Sequence, residues 1–453
     1  MYIKNLILLV LILAAEISLA VDPDTVFNNQ FRRDIGGWIA ADATYSIYLP
    51  DGRTLWLFGD TFIGEVNEDN SIVPGSKFIR NSAVIQDGDD LQTLFGGTRA
   101  VPADYIPTPN PDSTWYWPEH GIVEDDTLRI FVAKFRKDPD GPPGFQFAHA
   151  GNDIANFSFP GLEFINSVEI TASAVNDVLY GDRIMDDSLY VYIYGRRNDD
   201  PEINIAYPHV ARAGKGEVMD QNWEYFTGKG WSSNPDGTKR INSFQVSQQY
   251  SVTKFMGKYI LLTQDIWTSP KIFTFTSDSP TGPWENKRLI YETPEREGDT
   301  WTYNAYAHPQ FNEKGELLVS YNVNGDFFSI FDNVEIYRPR FIRVPYMNID
   351  FAFWSTGSSG IWNSGNSAMR IFPNPVKKAL NISLKIDRAI NTRLEIIDIS
   401  GIVVHTGNIN LAPGTNQFNI PVEKLPAGMY FCRVRLENHI ETVKFIKNIK
   451  TID

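Results

Sequence analysis

The chain has 453 residues, with 41 Lys+Arg against 55 Asp+Glu and 13% aromatic residues. A net charge of −14 argues against a nucleic-acid partner, because that affinity rests on Lys and Arg neutralising backbone phosphates. One cysteine, Cys432, excludes an intrachain disulfide and a multi-cysteine zinc site, and the length calls for two domains or a repeat architecture.

Residues 1–20 carry Lys4, the apolar run Leu6–Ala15 and Ser18-Leu19-Ala20. A basic start, about ten apolar residues and small residues before a cut site describe a secretory signal peptide, with cleavage after Ala20. The run is short of the ~20 apolar residues that a membrane span needs, so no span is expected in the mature chain. Composition then divides the remainder. All 11 Trp precede residue 363, and 371–453 carries a net charge of +4 against −18 for the rest. The expected organisation is a large domain over 21–346, a Ser/Gly-rich linker over 347–370 and a small domain over 371–453.

Within the large domain, five segments share a polar lead-in, a tight turn and an alternating apolar strand. They are Tyr45–Phe58, Gly121–Phe131, Asp182–Tyr192, Ser251–Leu262 and Pro309–Ser320, anchored on Leu55, Leu128, Leu189, Tyr259 and Leu317. A hairpin recurring every ~65 residues predicts a five-bladed β-propeller with one four-stranded sheet per period. A two-sheet sandwich, which also spaces strands regularly, is the alternative.

The first hairpin permits a sharper expectation. Pro50-Asp51-Gly52 suits a three-residue loop in which Gly supplies the left-handed residue. Leu49 then pairs with Arg53 and Tyr45 with Leu57, which sets Asp42 opposite Asp60. Like charges directly opposite one another destabilise a sheet, so the pairing asks for a functional reason. Two close carboxylates repel, and one keeps its proton to higher pH than the other. A protonated acid beside an ionised base or nucleophile is the equipment of a glycosidase, and a separation of about 5–6 Å corresponds to the retaining class. The bland alternative makes Asp60 a turn former and Asp42 a strand-end cap.

Other polar residues gather at strand ends. Trp117-Pro118-Glu119-His120 precedes the second hairpin, as a loop whose Glu119 would be a third acid and whose His120 would bond a sugar hydroxyl. Arg80-Asn81 opens a further strand over Ser82–Gln86; Gln264-Asp265 ends the fourth hairpin and Asn322 the fifth. Tyr303-Asn304-Ala305-Tyr306-Ala307-His308 leads into the fifth. Trp115, Tyr116, Trp117, Trp267 and Trp301 fall on predicted loops, where aromatic rings stack on the apolar faces of sugars. The six His show no His-Glu-x-x-His pair, and Gly-x-Ser-x-Gly and phosphate-cradling Gly loops are absent, so no metal and no cofactor are expected.

Two resemblances follow from these residues. The tail contains Ile371-Phe372-Pro373-Asn374-Pro375, Asp398-Ile399-Ser400-Gly401, Leu425-Pro426-Ala427-Gly428-Met429-Tyr430 and Lys444-Phe445-Ile446-Lys447. In that order they resemble the C-terminal sorting domain of the type IX (Por) secretion system. The resemblance implies a small β-sandwich, handling by the type IX machinery, passage across the outer membrane, tail removal, and cell-surface attachment or release. The body resembles five-bladed propeller glycoside hydrolases, above all the group containing the endo-D-arabinanases. The likeness rests on Asp42-Ala43-Thr44, Leu55-Trp56-Leu57-Phe58-Gly59-Asp60-Thr61 and Val319-Ser320-Tyr321-Asn322. It implies a catalytic aspartate pair at Asp42 and Asp60.

The sequence therefore predicts an all-β chain, a five-bladed β-propeller followed by a small β-sandwich, secreted and acting on a polysaccharide such as arabinan. Asp42 is expected as nucleophile or base, Asp60 as general acid and Glu119 as modulator of their pKa values. His308, Asn304, Arg80 and Gln264 are expected to orient hydroxyls, with Asn81, Trp117, His120, Asp265 and Tyr303 as further substrate contacts. The rival reading is a non-catalytic sugar-binding propeller on the cell surface.

Overall fold

The computed structural model describes residues 20–350 and 369–447, apart from 142–145, 188, 201–204, 267, 296–298, 314, 387, 399–402, 427 and 437–439. The expected signal peptide, except for Ala20, and most of the expected linker lie outside the described residues, as does Trp267.

The architecture is all-β and propeller-like. Among the described residues five antiparallel sheets of four or five strands follow one another through the large domain, beside two smaller sheets, one of Gly37–Ala41, Thr61–Gly64 and Lys77–Ile79 and one of Gly96–Gly97 and Pro102–Ala103. Sheet one orders Tyr45–Tyr48, Thr54–Phe58, Ser82–Asp87 and Asp90–Leu94 from its inner to its outer edge. Sheets two, three and four begin with Thr114–Glu124, Leu179–Asp186 and Tyr250–Phe255. Sheet five runs Trp301–Glu313, Glu316–Asn324 and Pro339–Pro345, and its outer strand is Asp22–Pro23 from the start of the domain. Asp22 pairs with Arg343 and Pro23 with Ile342, so the two ends of the domain close in one sheet. The leading strands touch in ring order, the fifth meeting the first.

Each of the five recurring segments falls on the first hairpin of one sheet. Their alternation explains the packing. Successive strand residues point to opposite faces, and here both faces are apolar because each sheet is covered on both sides. Leu317 and Val319 pack with Ile260 and Leu262 toward sheet four, whereas Leu318 turns to Trp56 and Phe58 of sheet one. Ile193 meets Phe131 of sheet two, and Tyr194 meets Tyr250 of sheet four. Sheets one and two share Leu57, Leu128 and Ala155. One apolar layer thus fills every gap around the ring. Trp56 is fully buried, stacks on Phe311 at 5.5 Å and donates from Nε1 to Gln86 at 2.8 Å. Four of the five expected anchors are buried. Leu189 is not: it is 69% exposed, because Asp187 draws its amide into the turn and the strand begins only at Tyr190.

The tail forms two facing sheets, of three strands and four, around one core that includes Leu380, Leu394 and Cys432. That is a small β-sandwich. Burial pushes the Cys432 thiol up to about 12, so it behaves as an apolar core residue.

Candidate active site

The first hairpin has the register that its turn dictates. Leu49 donates to Arg53 at the Pro50-Asp51-Gly52 loop, and Tyr45 pairs with Leu57. Beyond Tyr45 the strand breaks at Ala43 and Thr44, whose φ values of 72° and 62° lie in the left-handed region. Non-glycine residues enter that region at a cost of about 1–3 kcal/mol each and need outside support. Support comes from two other sheets: Gln249 Nε2 donates to the Ala43 carbonyl at 2.7 Å, and Asn322 Nδ2 to Thr44 Oγ1 at 3.0 Å. Past the break, Gly37–Ala41 pairs with Thr61–Gly64 in a separate small sheet, with Ala41 opposite Thr61. Asp42 and Asp60 sit at this junction. The Asp42 amide donates to the Asp60 carbonyl at 3.4 Å, and the Gly59 amide donates to the Asp42 carbonyl at 3.1 Å.

The side chains converge as well. A Cβ on Gly59 would lie 2.5 Å from Asp42 Oδ1 and 3.6 Å from Trp117 Cδ1. Trp117 Nε1 in turn donates to Asp60 Oδ1 at 2.9 Å. Asp42 therefore crowds Gly59, whose missing side chain makes the room, and Trp117 reaches from the same spot to Asp60. Arg80 Nη1 reaches both oxygens of Asp60, at 3.3 and 3.1 Å. The Arg80 guanidinium lies 4.5 Å from the Trp115 ring and 5.3 Å from the Phe78 ring, which fixes its plane. Its backbone amide donates to Asp104 at 2.8 Å. Asp42 accepts from the Tyr303 hydroxyl at 2.9 Å and from that of Tyr337. Asn324 Nδ2 donates to the Tyr303 oxygen at 3.1 Å.

These surroundings make the two acids unequal. Burial, and then the charge of Asp60, raises the Asp42 carboxyl to about 7 against the pull of the tyrosine hydroxyls. Burial raises Asp60 too, but the Arg80 cation and the Trp117 N–H oppose it. Asp60 is the member that ionises first, and Asp42 the member that keeps a proton. The expectation had Asp42 as nucleophile or base and Asp60 as general acid; these surroundings favour the proton on Asp42. The reason is tertiary: the cation comes from a loop beside Asp60, while Asp42 receives only neutral donors. The Asp60 side chain is 17% exposed and Arg80 39%, so the pair meets solvent.

Other expected residues lie elsewhere. Trp115, Tyr116, Trp117 and Glu119 are on a strand, Thr114–Glu124, rather than on a loop, and its pairing slips between Pro118 and Gly121. Glu119 is buried, accepts from the Tyr45 hydroxyl and pairs with Arg196 at 3.2 Å. Arg196 also holds Asp182 at 2.6 Å. Glu119 belongs to this sealed cluster, and the chief influences on Asp42 and Asp60 do not include it.

His120 is buried between the Ser46 carbonyl at 3.1 Å and Arg183 at 3.0 Å. His308 is buried between Ser46 at 2.6 Å and Ser320 at 2.8 Å. Burial holds both imidazoles well below their ordinary pKa, so they are neutral structural groups. Gln264 ties the Ser269 carbonyl to the Ala305 amide, and Asn81 ties Ile106 to the Tyr116 carbonyl. None of these is placed to orient a hydroxyl of a solvent-borne sugar. Asp265 is exposed, 3.8 Å from Lys287. Asn304 is half-buried with φ 57°, next to Tyr303. Arg80, Trp117 and Tyr303 join the aspartates.

Tyr337, Asn324 and Asp104 complete the site without having been expected in it, and Trp115, expected as a sugar-stacking ring, packs against Arg80. Asn324 follows Asn322 at a strand end already rich in polar residues, the one available signal. Tyr337 lies in a short 3₁₀ turn, Val334–Tyr337, with nothing in its sequence to mark it. Among the described residues no group of three His, Cys, Asp or Glu is placed to hold a metal ion, and no helix is long and apolar enough to cross a membrane.

No curated protein matches the chain. Among solved structures, a putative hydrolase from Bacteroides ovatus is 21% identical, covering 75% of this chain and 93% of its own with a TM-score of 0.62. This shows a shared fold. An exo-β-1,3-galactanase from Phanerochaete chrysosporium is 12% identical over 91% of this chain and 100% of its own, at a TM-score of 0.37. A GH43 protein from Bacillus licheniformis is 10% identical over 95% of this chain and 91% of its own, at 0.38. Residues 370–448 match the secretion system C-terminal sorting domain, which marks the chain for type IX export to the cell surface or beyond. Residues 24–356 match the family described as "Domain of unknown function (DUF5005)", and by that match, over more than half of its length, the chain belongs to this family.

Proposed function

We propose that the chain is an exported glycoside hydrolase in which Asp42 and Asp60 cleave a bond within a polysaccharide, with an arabinan-like furanose polymer as the first candidate substrate. One observation carries the reading. Two partly exposed carboxylates meet at one junction, Asp60 against the Arg80 cation and Asp42 against the space left by Gly59, where it faces only neutral donors. Such inequality separates an acid from a base at one pH.

In this scheme protonated Asp42 gives its proton to the leaving glycosidic oxygen as the C–O bond breaks. Ionised Asp60 either bonds the anomeric carbon or takes a proton from the attacking water. Either route consumes one water and creates one reducing end. Arg80 and Trp117 hold Asp60 in place, and Tyr303 and Tyr337 do the same for Asp42. The arabinan candidate rests on the resemblance of Asp42-Ala43-Thr44 and the Leu55–Thr61 segment to the endo-D-arabinanase group.

The test is incubation of the mature protein with linear arabinan, β-1,3-galactan and xylan, with assay for new reducing sugar. Release by the wild type and its loss in both Asp42→Asn and Asp60→Asn is the expected result. Retention on a glycan with no released sugar from the wild type would replace this reading with the sugar-binding one.

A further inference from the structure

Beside the aspartates lies an exposed aromatic surface that the scheme above does not use. The helix Phe327–Asp332 starts three residues after Asn324, with Asp326 accepting from the Phe328 and Ser329 amides. It is anchored by buried Ile330 and by the Phe331 carbonyl, which accepts from the Ile72 amide at 2.8 Å. Its rings nevertheless face outward: Phe327 is 48% and Phe328 76% exposed, and Phe331 and Phe78 are exposed beside them. Phe327 lies 6.0 Å from Phe78, 5.9 Å from Phe328 and 5.6 Å from Phe331. Leaving such rings in water forgoes burial that the hydrophobic effect favours, and contiguous patches of this kind mark binding surfaces.

The patch is joined to both carboxylates. Phe78 touches Arg80, which holds Asp60. The buried Phe62 ring touches Phe78, Phe327 and Phe331 on one side and Tyr337 on the other, and Tyr337 donates to Asp42. One residue thus separates the rings from Asp60, and the Phe62–Tyr337 pair separates them from Asp42. On the solvent side the link is Arg80, itself partly exposed, between Phe78 and Asp60.

We infer that Phe327, Phe328 and Phe78 form a stacking platform for the sugar units flanking the bond to be cut, so that the substrate is an extended glycan rather than a mono- or disaccharide. The occupant follows from continuity: the apolar C–H face of a sugar ring packs on aromatic rings, while its hydroxyls stay in solvent. The inference rests on the proposed hydrolase reading for its location, and its test separates the two.

The mature protein and its Asp60→Asn, Phe328→Ala, Phe327→Ala and Phe328→Trp variants are run through native gels containing linear arabinan, β-1,3-galactan or xylan. The expected result is retardation of the wild type and of Asp60→Asn by at least one polymer. Phe328→Ala should weaken that retention about fivefold or more, Phe327→Ala should weaken it as well, and Phe328→Trp should restore it. A fold control is the unfolding midpoint, which the Trp variant keeps even if the Ala variant lowers it. Equal retention of Phe328→Ala and wild type, retention by none of the polymers, or Phe328-dependent capture by phosphatidylcholine vesicles in place of glycan would each overturn the platform. Retention that needs Phe328 but yields no reducing sugar sinks hydrolysis and keeps the platform. Hydrolysis by Phe328→Ala at the wild-type KM does the reverse.

Discussion

Two places in the propeller bring a pair of acids to one arginine, and they have opposite characters. In the cluster of Glu119, Asp182 and Arg196, the guanidinium is shared between both acids, and all three side chains are at most 9% exposed. Burial, the leading cause, pushes the Asp182 carboxyl up while Arg196 opposes that rise; burial likewise disfavours the Arg196 cation, and the neighbouring acids Asp182 and Glu119 outweigh it. At the Asp42–Asp60 junction the arginine serves one acid only, and solvent reaches the group. The lesson is that perturbed acids by themselves do not mark a site. A shared cation and closed packing make a strut; an unshared cation and an open side make a pair with a movable proton.

The largest expected effect tests that contrast directly. Asp42→Asn and Asp60→Asn should each lower kcat on the polymer about 10³-fold or more while leaving glycan retention in place. Steady-state kinetics beside gel retention reads both. A loss no larger than tenfold in either variant would remove the open pair from the chemistry.

Next comes the strut. Arg196→Met leaves two buried carboxyls uncompensated and should cost about 3–5 kcal/mol of stability. Arg80→Met, at a site 39% exposed, should change the denaturation midpoint far less. Urea titration of the two variants side by side gives the comparison; equal losses would mean that the two clusters are the same kind of device.

A smaller effect is expected from Gly59→Ala, whose new methyl would meet Asp42 Oδ1 at 2.5 Å. Displacing that carboxyl should lower kcat about 10–100-fold with little loss of stability. Unchanged kcat would show that the crowding at Gly59 is incidental.

The pH dependence follows from the two acids. With the Asp42 carboxyl at about 7, activity should fall as pH rises through neutrality and the proton is lost. The acidic limb belongs to Asp60, and Arg80→Met, by removing the cation that opposes its protonation, should move that limb upward. A kcat/KM profile unaltered in Arg80→Met would break this assignment.

The smallest expected effect is on stability. Asp42 binds its proton more tightly folded than unfolded, so its contribution to stability is present at pH 4 and declines as pH rises through about 7. Asp42→Asn should therefore melt a few degrees above the wild type at pH 8 and at the same temperature at pH 4. Melting curves at the two pH values decide it.

Much of the fold was legible because its signals are local. Alternating apolar residues on either side of a tight turn describe a hairpin wherever they occur, and five of them in series describe the ring. The loop Pro50-Asp51-Gly52 sets the register that brings Asp42 level with Asp60, eight residues away on either side, and Gln249 and Asn322 support the break at Ala43 and Thr44 between them. Leu189 shows the limit: Asp187 competes for the turn amides, and the strand starts two residues later than composition alone indicates. The assignment of the remaining polar residues failed for a different reason. Glu119, His120, His308 and Gln264 look like site residues when read along the chain. Their fate was settled by partners such as Arg196, 77 residues from Glu119, and Ser46, 262 residues from His308.

The order of the chain by itself determined the hairpins, the pairing of the two aspartates and the export tail, since each depends on turn chemistry, alternation or a contiguous motif. Only the tertiary structure decided which acid carries the proton. That choice is made by an arginine, two tyrosines and a tryptophan delivered from two different sheets, a loop and a 3₁₀ turn, and electrostatic influence follows distance in space, not position along the backbone.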